Sequence, residues 1–283
     1  MTHSPAVTIN VMPHDARHVV ARATDADRRG LGRLVLPDAG AATRDPWTVL
    51  GAAAVGTTAI RLGMITNPLT RRPEVTAGAL GTLDELSGGR GFAVLSVGGA
   101  FQLAGLGVPH PARIADLTTA LRTVRDRHRS AELWVATKGP ATLRAVAGLA
   151  DTVLLSGVPF PLLPDLARRV RSTTGARVAL TLHHWFDPES RLHSGERLVY
   201  EITNMRPEYA DAGGVHDSLR TDVLSALARS GPVEAGRLIP DTVLRRFYLD
   251  APATGITDSA VTLATGLGVD EIVLPEYTFY PNG

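Results

Sequence analysis

The chain has no cysteine among its 283 residues, which removes disulfide frameworks, thiolate metal sites, iron–sulfur clusters and cysteine nucleophiles. Long apolar runs are missing too. No stretch approaches the roughly 18 to 20 residues that a membrane span requires, and MTHSPAVTIN lacks a basic region followed by an apolar core. A soluble, cytoplasmic protein without a membrane partner is expected. Neither sign of charge is in excess: the net charge of +1 gives no footprint for nucleic acid. A small molecule is the expected partner, with a homodimer as a further expectation. Lysine is almost absent, Lys138 standing alone against 28 arginines; with abundant Ala, Gly and Pro this suggests GC-rich coding and an actinobacterial source. No GxGxxG follows a first strand and no GxSxG occurs, so neither a dinucleotide fingerprint nor a hydrolase elbow is present.

Short apolar runs alternate with helical patterns through most of the chain. Strands are predicted at Thr8–Met12, Arg33–Leu36, Arg61–Ile65, Phe92–Val97, Glu132–Ala136, Thr152–Leu155, Arg177–Leu182 and Glu271–Leu274. Repeated βα units with nearly continuous apolar strands demand a parallel sheet covered by helices, and eight strands favour a single-domain (β/α)8 barrel over an open doubly wound sheet. Between Asp187 and Thr257 the alternation fails, and an irregular helical insertion or lid is expected there.

In a parallel barrel, ligands sit where the strands end, so residues just after each strand are the site candidates. These are Pro13-His14, Asp38, Thr66-Asn67, Gly98-Gly99, Thr137-Lys138-Gly139-Pro140, Ser156-Gly157, His183-His184-Trp185 and Glu276-Tyr277. Thr-Lys-Gly-Pro at a helix start combines a hydroxyl, a cation and free N–H groups, which suits a phosphate; ordinary helix capping is the competing reading. One of His183 and His184 would face the barrel axis, because adjacent strand residues point to opposite faces. Either could serve as an acid/base group near neutral pH, or simply be a satisfied structural imidazole. His-His with Glu276 lacks a third metal ligand at a recognisable spacing, so no metal is expected.

The stretches TNPLTRRP (66–73) and LDELSGGR (83–90), with GVDEIVLP near the end, closely resemble signatures of the bacterial luciferase-like flavin and deazaflavin oxidoreductases. The resemblance implies a TIM barrel that holds coenzyme F-420, or alternatively FMN, over the third strand. It implies that Met64-Ile65 forms a cis-bonded shelf under the ring, that Thr66 and Asn67 meet the ring's polar edge, that Gly98 and Gly99 line the cofactor, and that residues 137–140 hold its phosphate. Hydride transfer to an unsaturated small molecule is the implied reaction, with Asp38, His14, His183 and His184 as candidates for proton handling. An FMN-dependent monooxygenase and a non-catalytic flavin-binding protein are the alternatives. Several departures stand out. Ala39 replaces the family's histidine after Asp38, Ala100-Phe101-Gln102 stands where a Glu often follows the glycine loop, and Ser96 replaces a glycine. The segment 127–132 is abbreviated, from which a more open cofactor pocket on that side is expected.

Overall fold

The computed structural model describes residues 4–40, 43–99, 103, 106–252 and 254–280. Eight parallel strands close into a barrel: β1 (Ala6–Asn10), β2 (Arg33–Pro37), β3 (Arg61–Thr66), β4 (Gly91–Ser96), β5 (Glu132–Ala136), β6 (Thr152–Leu155), β7 (Arg177–Thr181) and, after two short strands, β10 (Glu271–Pro275). The order around the barrel is β1-β10-β7-β6-β5-β4-β3-β2, so the last strand closes against the first, with Ala6 opposite Glu271 and Asn10 opposite Pro275. The open sheet is thereby excluded.

Helices α1 (Ala16–Arg28), α2 (Pro46–Val55), α3 (Pro73–Ser87), α4 (Ile114–Arg127), α5 (Pro140–Ala145) and α6 (Leu163–Thr174) connect successive strands. Local chemistry starts them: Asp15 and Asp45 accept the N–H groups of His18 and Thr48 at 2.7 and 2.9 Å, and Pro46, Pro73 and Pro140 occupy first turns, where their missing N–H costs nothing. After Thr174 and before β10 come β8 (His184–Trp185), α7 (Pro188–Thr203), α8 (Pro207–Gly213), α9 (Asp217–Ser230), α10 (Pro232–Arg237), α11 (Asp241–Leu244), β9 (Leu249–Asp250) and α12 (Ile256–Leu267). The strand-and-helix alternation gives way there, as expected for 187–257. The helices of this region build an apolar cluster of their own around Leu198, Val199, Ile202, Leu244, Phe247 and Tyr248.

Strand parity divides the barrel core in two. Leu34, Leu36, Leu62 and Met64 face outward against the helices, while Val35, Phe92, Val94, Trp134, Leu154, Ala179 and Val273 fill the interior, with Ile65 and Ala136 against them. The Phe92 ring lies where a side chain on Gly63 would be, 2.4 Å from an added Cβ, so only glycine fits at that point of β3. Phe92 and Trp134 are fully buried 5.2 Å apart, each burial worth roughly 2–3 kcal/mol.

LDELSGGR acts at the amino end of the barrel. Gly88, at φ +70°, ends α3, the Asp84 carboxylate accepts the Gly91 N–H at 2.8 Å, and the Arg90 guanidinium donates to the carbonyls of Ala54, Thr57 and Ile60 at 2.6–3.0 Å. The motif fastens α3 and the α2–β3 turn to β4. The abbreviated 127–132 segment lies at this end as well, because it joins a helix to the next strand. Its shortness cannot open a pocket at the opposite end, which corrects that expectation.

Candidate functional site

The carboxyl ends of the strands gather most of the predicted residues, in unequal condition. On β3, Ile65 is the interior-facing residue and reaches the mouth. Met64 is fully buried between the strands and the helices, so its side chain does not line the mouth. No peptide bond among the described residues is cis, so the expected Met64–Ile65 cis bond is absent. β3 keeps unbroken register through this pair, Met64 and Ile65 lying opposite Leu36 and Pro37 of β2 and Ala93 and Val94 of β4, which leaves no bulge for a cis bond to serve.

Beyond β3 the chain turns on Asn67, whose Oδ1 accepts the N–H groups of Leu69 and Thr70, both at 3.0 Å. Among the described residues the Asn67 Nδ2 has no acceptor. Thr66 Oγ1 donates to Asp38 Oδ2 at 3.2 Å, and Arg71 Nε lies 3.7 Å from the same oxygen while its Nη2 pairs with Asp45 at 2.6 Å. Asp38 is thus held as an acceptor just after β2. A polar cavity of about 350 Å³ opens beside it, lined among others by Arg44, Thr70 and Arg71. A larger one, about 580 Å³, is lined by Pro68, Leu69 and Pro73 of the stretch after β3 and by His110 and Arg113 before α4.

Gly98 has φ +84°, and an added Cβ would stand 2.8 Å from Leu103 Cδ1 and 3.4 Å from Asn67 Cγ, so the loops after β3 and β4 touch through this glycine. Ser96, where the sequence departs from its relatives, joins the same turn: its hydroxyl donates to the Thr66 carbonyl at 3.4 Å and accepts the Gly98 N–H at 3.1 Å. Gly99 is exposed, its carbonyl accepting the Leu103 N–H at 3.0 Å. Ala100, Phe101 and Gln102 lie outside the described residues.

The segment after β5 departs from the phosphate reading. Lys138 Nζ donates to the carbonyls of Ser156 and Gly157 at 2.9 and 3.0 Å and pairs with Glu201 of α7 at 3.2 Å. An ammonium has three N–H groups, so none is left for a phosphate. Thr137 Oγ1 accepts the Gly139 N–H at 3.4 Å, and Pro140 opens a helix of only 6 residues. Capping, the competing reading, is not seen either: the N-cap is Gly139 and no side chain caps the helix.

His183 and His184 follow β7; His184 opens the small β8–β9 sheet, and the Leu249 N–H bonds to the His183 carbonyl beside it at 2.9 Å. His183 continues the interior parity of Ala179 and Thr181. Its Nε2 meets Arg197 of α7 at 3.0 Å, and its ring meets Tyr248 edge-on. Arginine only donates, so Nε2 is the acceptor and the proton sits on Nδ1, which is buried without a partner. Burial, reinforced by the charges of Arg197 and His184, holds His183 well below the ordinary imidazole range. His184 is fully buried, its Nε2 bonded to Thr278 at 2.7 Å and its ring flanked by Phe186 and Tyr277; burial lowers it to about 4. Both imidazoles are neutral at neutral pH, each with a single ring proton, so neither is held as an imidazolium acid. His14 is exposed and makes no side-chain hydrogen bond among the described residues, and Glu276 pairs with His18 and Arg22 of α1.

Three residues escaped sequence reasoning. Asn10 follows the interior parity of Thr8 on β1, and its Oδ1 is buried without a partner; the polar alternation in AVTIN was the available signal. Arg197 and Glu201, four residues apart on α7, both reach the strand ends. Only their i, i+4 spacing on an amphipathic helix beside the two histidines hinted at it.

Residues 1–132 match the model of the family described as luciferase-like monooxygenase. The 5,10-methylenetetrahydromethanopterin reductase of Methanopyrus kandleri is 45% identical over 67 residues, covering 23% of this chain and 19% of that protein. The phthiodiolone/phenolphthiodiolone dimycocerosates ketoreductase of Mycobacterium tuberculosis is 31% identical over 140 residues, 39% of this chain and 37% of that one. The chain therefore matches well under half the length of these relatives. The solved structure of the coenzyme F-420-dependent tetrahydromethanopterin reductase from Methanopyrus kandleri superposes with a TM-score of 0.82 at 18% identity, covering 97% of this chain and 94% of that one, a likeness of fold.

Proposed function

We propose that this chain, whose first 132 residues match the luciferase-like family model and which folds as a closed barrel, is an oxidoreductase that uses coenzyme F-420 to reduce an unsaturated small molecule. One observation carries the reading. TNPLTRRP lies at the carboxyl end of β3, and its Asn67 touches the Gly98 turn of β4, so the two loops that would hold a ring edge form one unit. The polar groups at the mouth suit a deazaflavin. Its pyrimidine edge alternates carbonyl acceptors with an N–H donor, and the mouth offers a free donor at Asn67 Nδ2 and an orphaned buried acceptor at Asn10 Oδ1. Ile65 would present the apolar face.

When bound, the deazaflavin supplies two-electron hydride chemistry. The chain's part is to position and shield. Gly98 allows close backbone approach, and α7 to α11 exclude water from the side of the mouth over β5 to β7. With both buried imidazoles neutral, Asp38 and the exposed His14 are the groups left to exchange a proton with substrate or solvent.

Anaerobic titration of the purified protein with F-420 and with FMN tests the reading. Saturable F-420 binding, with FMN at least about tenfold weaker, is the expected outcome. Preferential FMN binding with aerobic turnover would replace it by the monooxygenase reading, and F-420 binding without reoxidation by any unsaturated compound would leave a binding protein.

A further inference from the structure

The mouth has two sides. The loops assigned to the cofactor follow β3 and β4, whereas His183, Tyr248 and Tyr277 surround the ends of β7 and β10, and β7 stands four strands from β3 in an eight-stranded barrel, directly across it. Helix α7 crosses this far side and presents Arg197 and Glu201 one turn apart. Glu201 is committed: it pairs with Lys138 at 3.2 Å and accepts from Ser156 Oγ at 3.3 Å. The positive charge of Lys138 is thereby cancelled.

Arg197 is in the opposite condition. Among the described residues no carboxylate lies within ion-pair distance of it, and its one hydrogen bond is to His183 Nε2 at 3.0 Å. The imidazole that receives it is buried and uncharged, so it fixes the guanidinium without neutralising it. His183 itself is held by its backbone bond to Leu249 and by the Tyr248 ring. Among the described residues the remaining N–H groups of Arg197 have no acceptor, and the residue is exposed. A guanidinium oriented from below, left uncompensated and open above, matches the planar two-oxygen face of a carboxylate or phosphate.

We propose that Arg197 is the substrate-binding cation of this mouth, taking an oxyanion, carboxylate or phosphate, carried by the molecule that is reduced. The assignment rests on the proposed function for the identity of the opposite side as the cofactor's. Its geometry is independent of that reading. Since F-420 also carries an anionic tail, the test has to separate the two sources of oxyanion.

Inorganic phosphate, titrated at constant ionic strength without cofactor, is the probe. In nitrogen-15-labelled protein the Arg197 Nε–Hε resonance, identified by its loss in Arg197→Met, is expected to shift saturably with a millimolar constant. Arg197→Lys keeps the charge but not the fork, and should weaken phosphate binding at least about threefold. F-420 affinity in Arg197→Met should stay within about threefold of the parent. A resonance that does not move up to about 50 mM phosphate overturns the oxyanion site. A loss of about tenfold or more in F-420 affinity would give Arg197 to the cofactor's tail and overturn the substrate assignment. A parent protein that binds phosphate at Arg197 but no F-420 refutes the proposed function and leaves the anion site standing.

Discussion

The two ends of the barrel hold charged side chains in opposite conditions. At the amino end Arg33 pairs with both Glu132 and Glu271 at 3.1 Å, Arg61 lies 3.0 Å from Glu132, Arg177 reaches Glu271 at 3.5 Å, and Thr8 donates to Glu271. These groups plug the barrel below Phe92 and Trp134, and the Trp134 indole N–H completes the set by donating to Glu132 at 2.8 Å. At the carboxyl end Lys138 and Asp38 are paired, but among the described residues Arg197 and Arg44 face no carboxylate, and polar atoms of Asn10, Thr70, His183 and His184 are buried without partners. Buried polar atoms without a partner occur at both ends, Arg33 Nε and Thr152 Oγ1 lying at the amino end, so the contrast between the ends rests on the charges and their pairing. The contrast separates residues that hold the barrel from those available for chemistry.

The largest effect is expected where the plug is broken. Glu271 is fully buried; burial pushes its carboxyl upward while Arg33 pulls the other way. Glu271→Ala would leave Arg33 short of one partner and Arg177 without any, at a cost of about 3–5 kcal/mol. Urea unfolding checks this, and a loss under about 1 kcal/mol would show the plug to be dispensable.

The next effect belongs to the carboxyl end and depends on pH. His184 titrates at about 4 in the fold and near 6.5 when unfolded. Below about 6.5 the unfolded chain binds the extra proton, so stability is full above that pH and declines as the pH falls toward 4. This one residue should account for roughly 2–3 kcal/mol by about pH 4.5, with His183 acting in the same direction. His184→Gln should flatten the profile of unfolding midpoint against pH. Parallel profiles for parent and variant would contradict the burial argument.

How much of this was legible follows the same division. Strand periodicity and the glycine breaks revealed the barrel because each strand must be apolar on both faces, and TNPLTRRP marked the mouth because its Asn67 turn is local chemistry. LDELSGGR looked equally telling, yet its Asp84, Gly88 and Arg90 act at the far end as a fastening. Lys138 illustrates the limit: the cation at a helix start was visible, but Glu201, 63 residues onward, cancels it. The uncompensated Arg197 was invisible for the same reason, since isolation of a charge is a property of the assembled mouth. Residues 64–65 failed differently, the pattern suggesting a bulge where strand register runs unbroken.

The most direct test sets two glycines against each other. Gly98 and Gly88 share a left-handed backbone, φ +84° and +70°, but only Gly98 stands at the mouth, and an added Cβ at Gly88 meets nothing within 4 Å. Alanine at either should cost about 1 kcal/mol through backbone strain. Gly98→Ala should in addition weaken F-420 binding at least about tenfold, since Leu103 in the loop after β4 must shift, while Gly88→Ala should bind like the parent. Equal F-420 affinities in both variants, or none in the parent, would contradict the assignment of the carboxyl end as the cofactor's site.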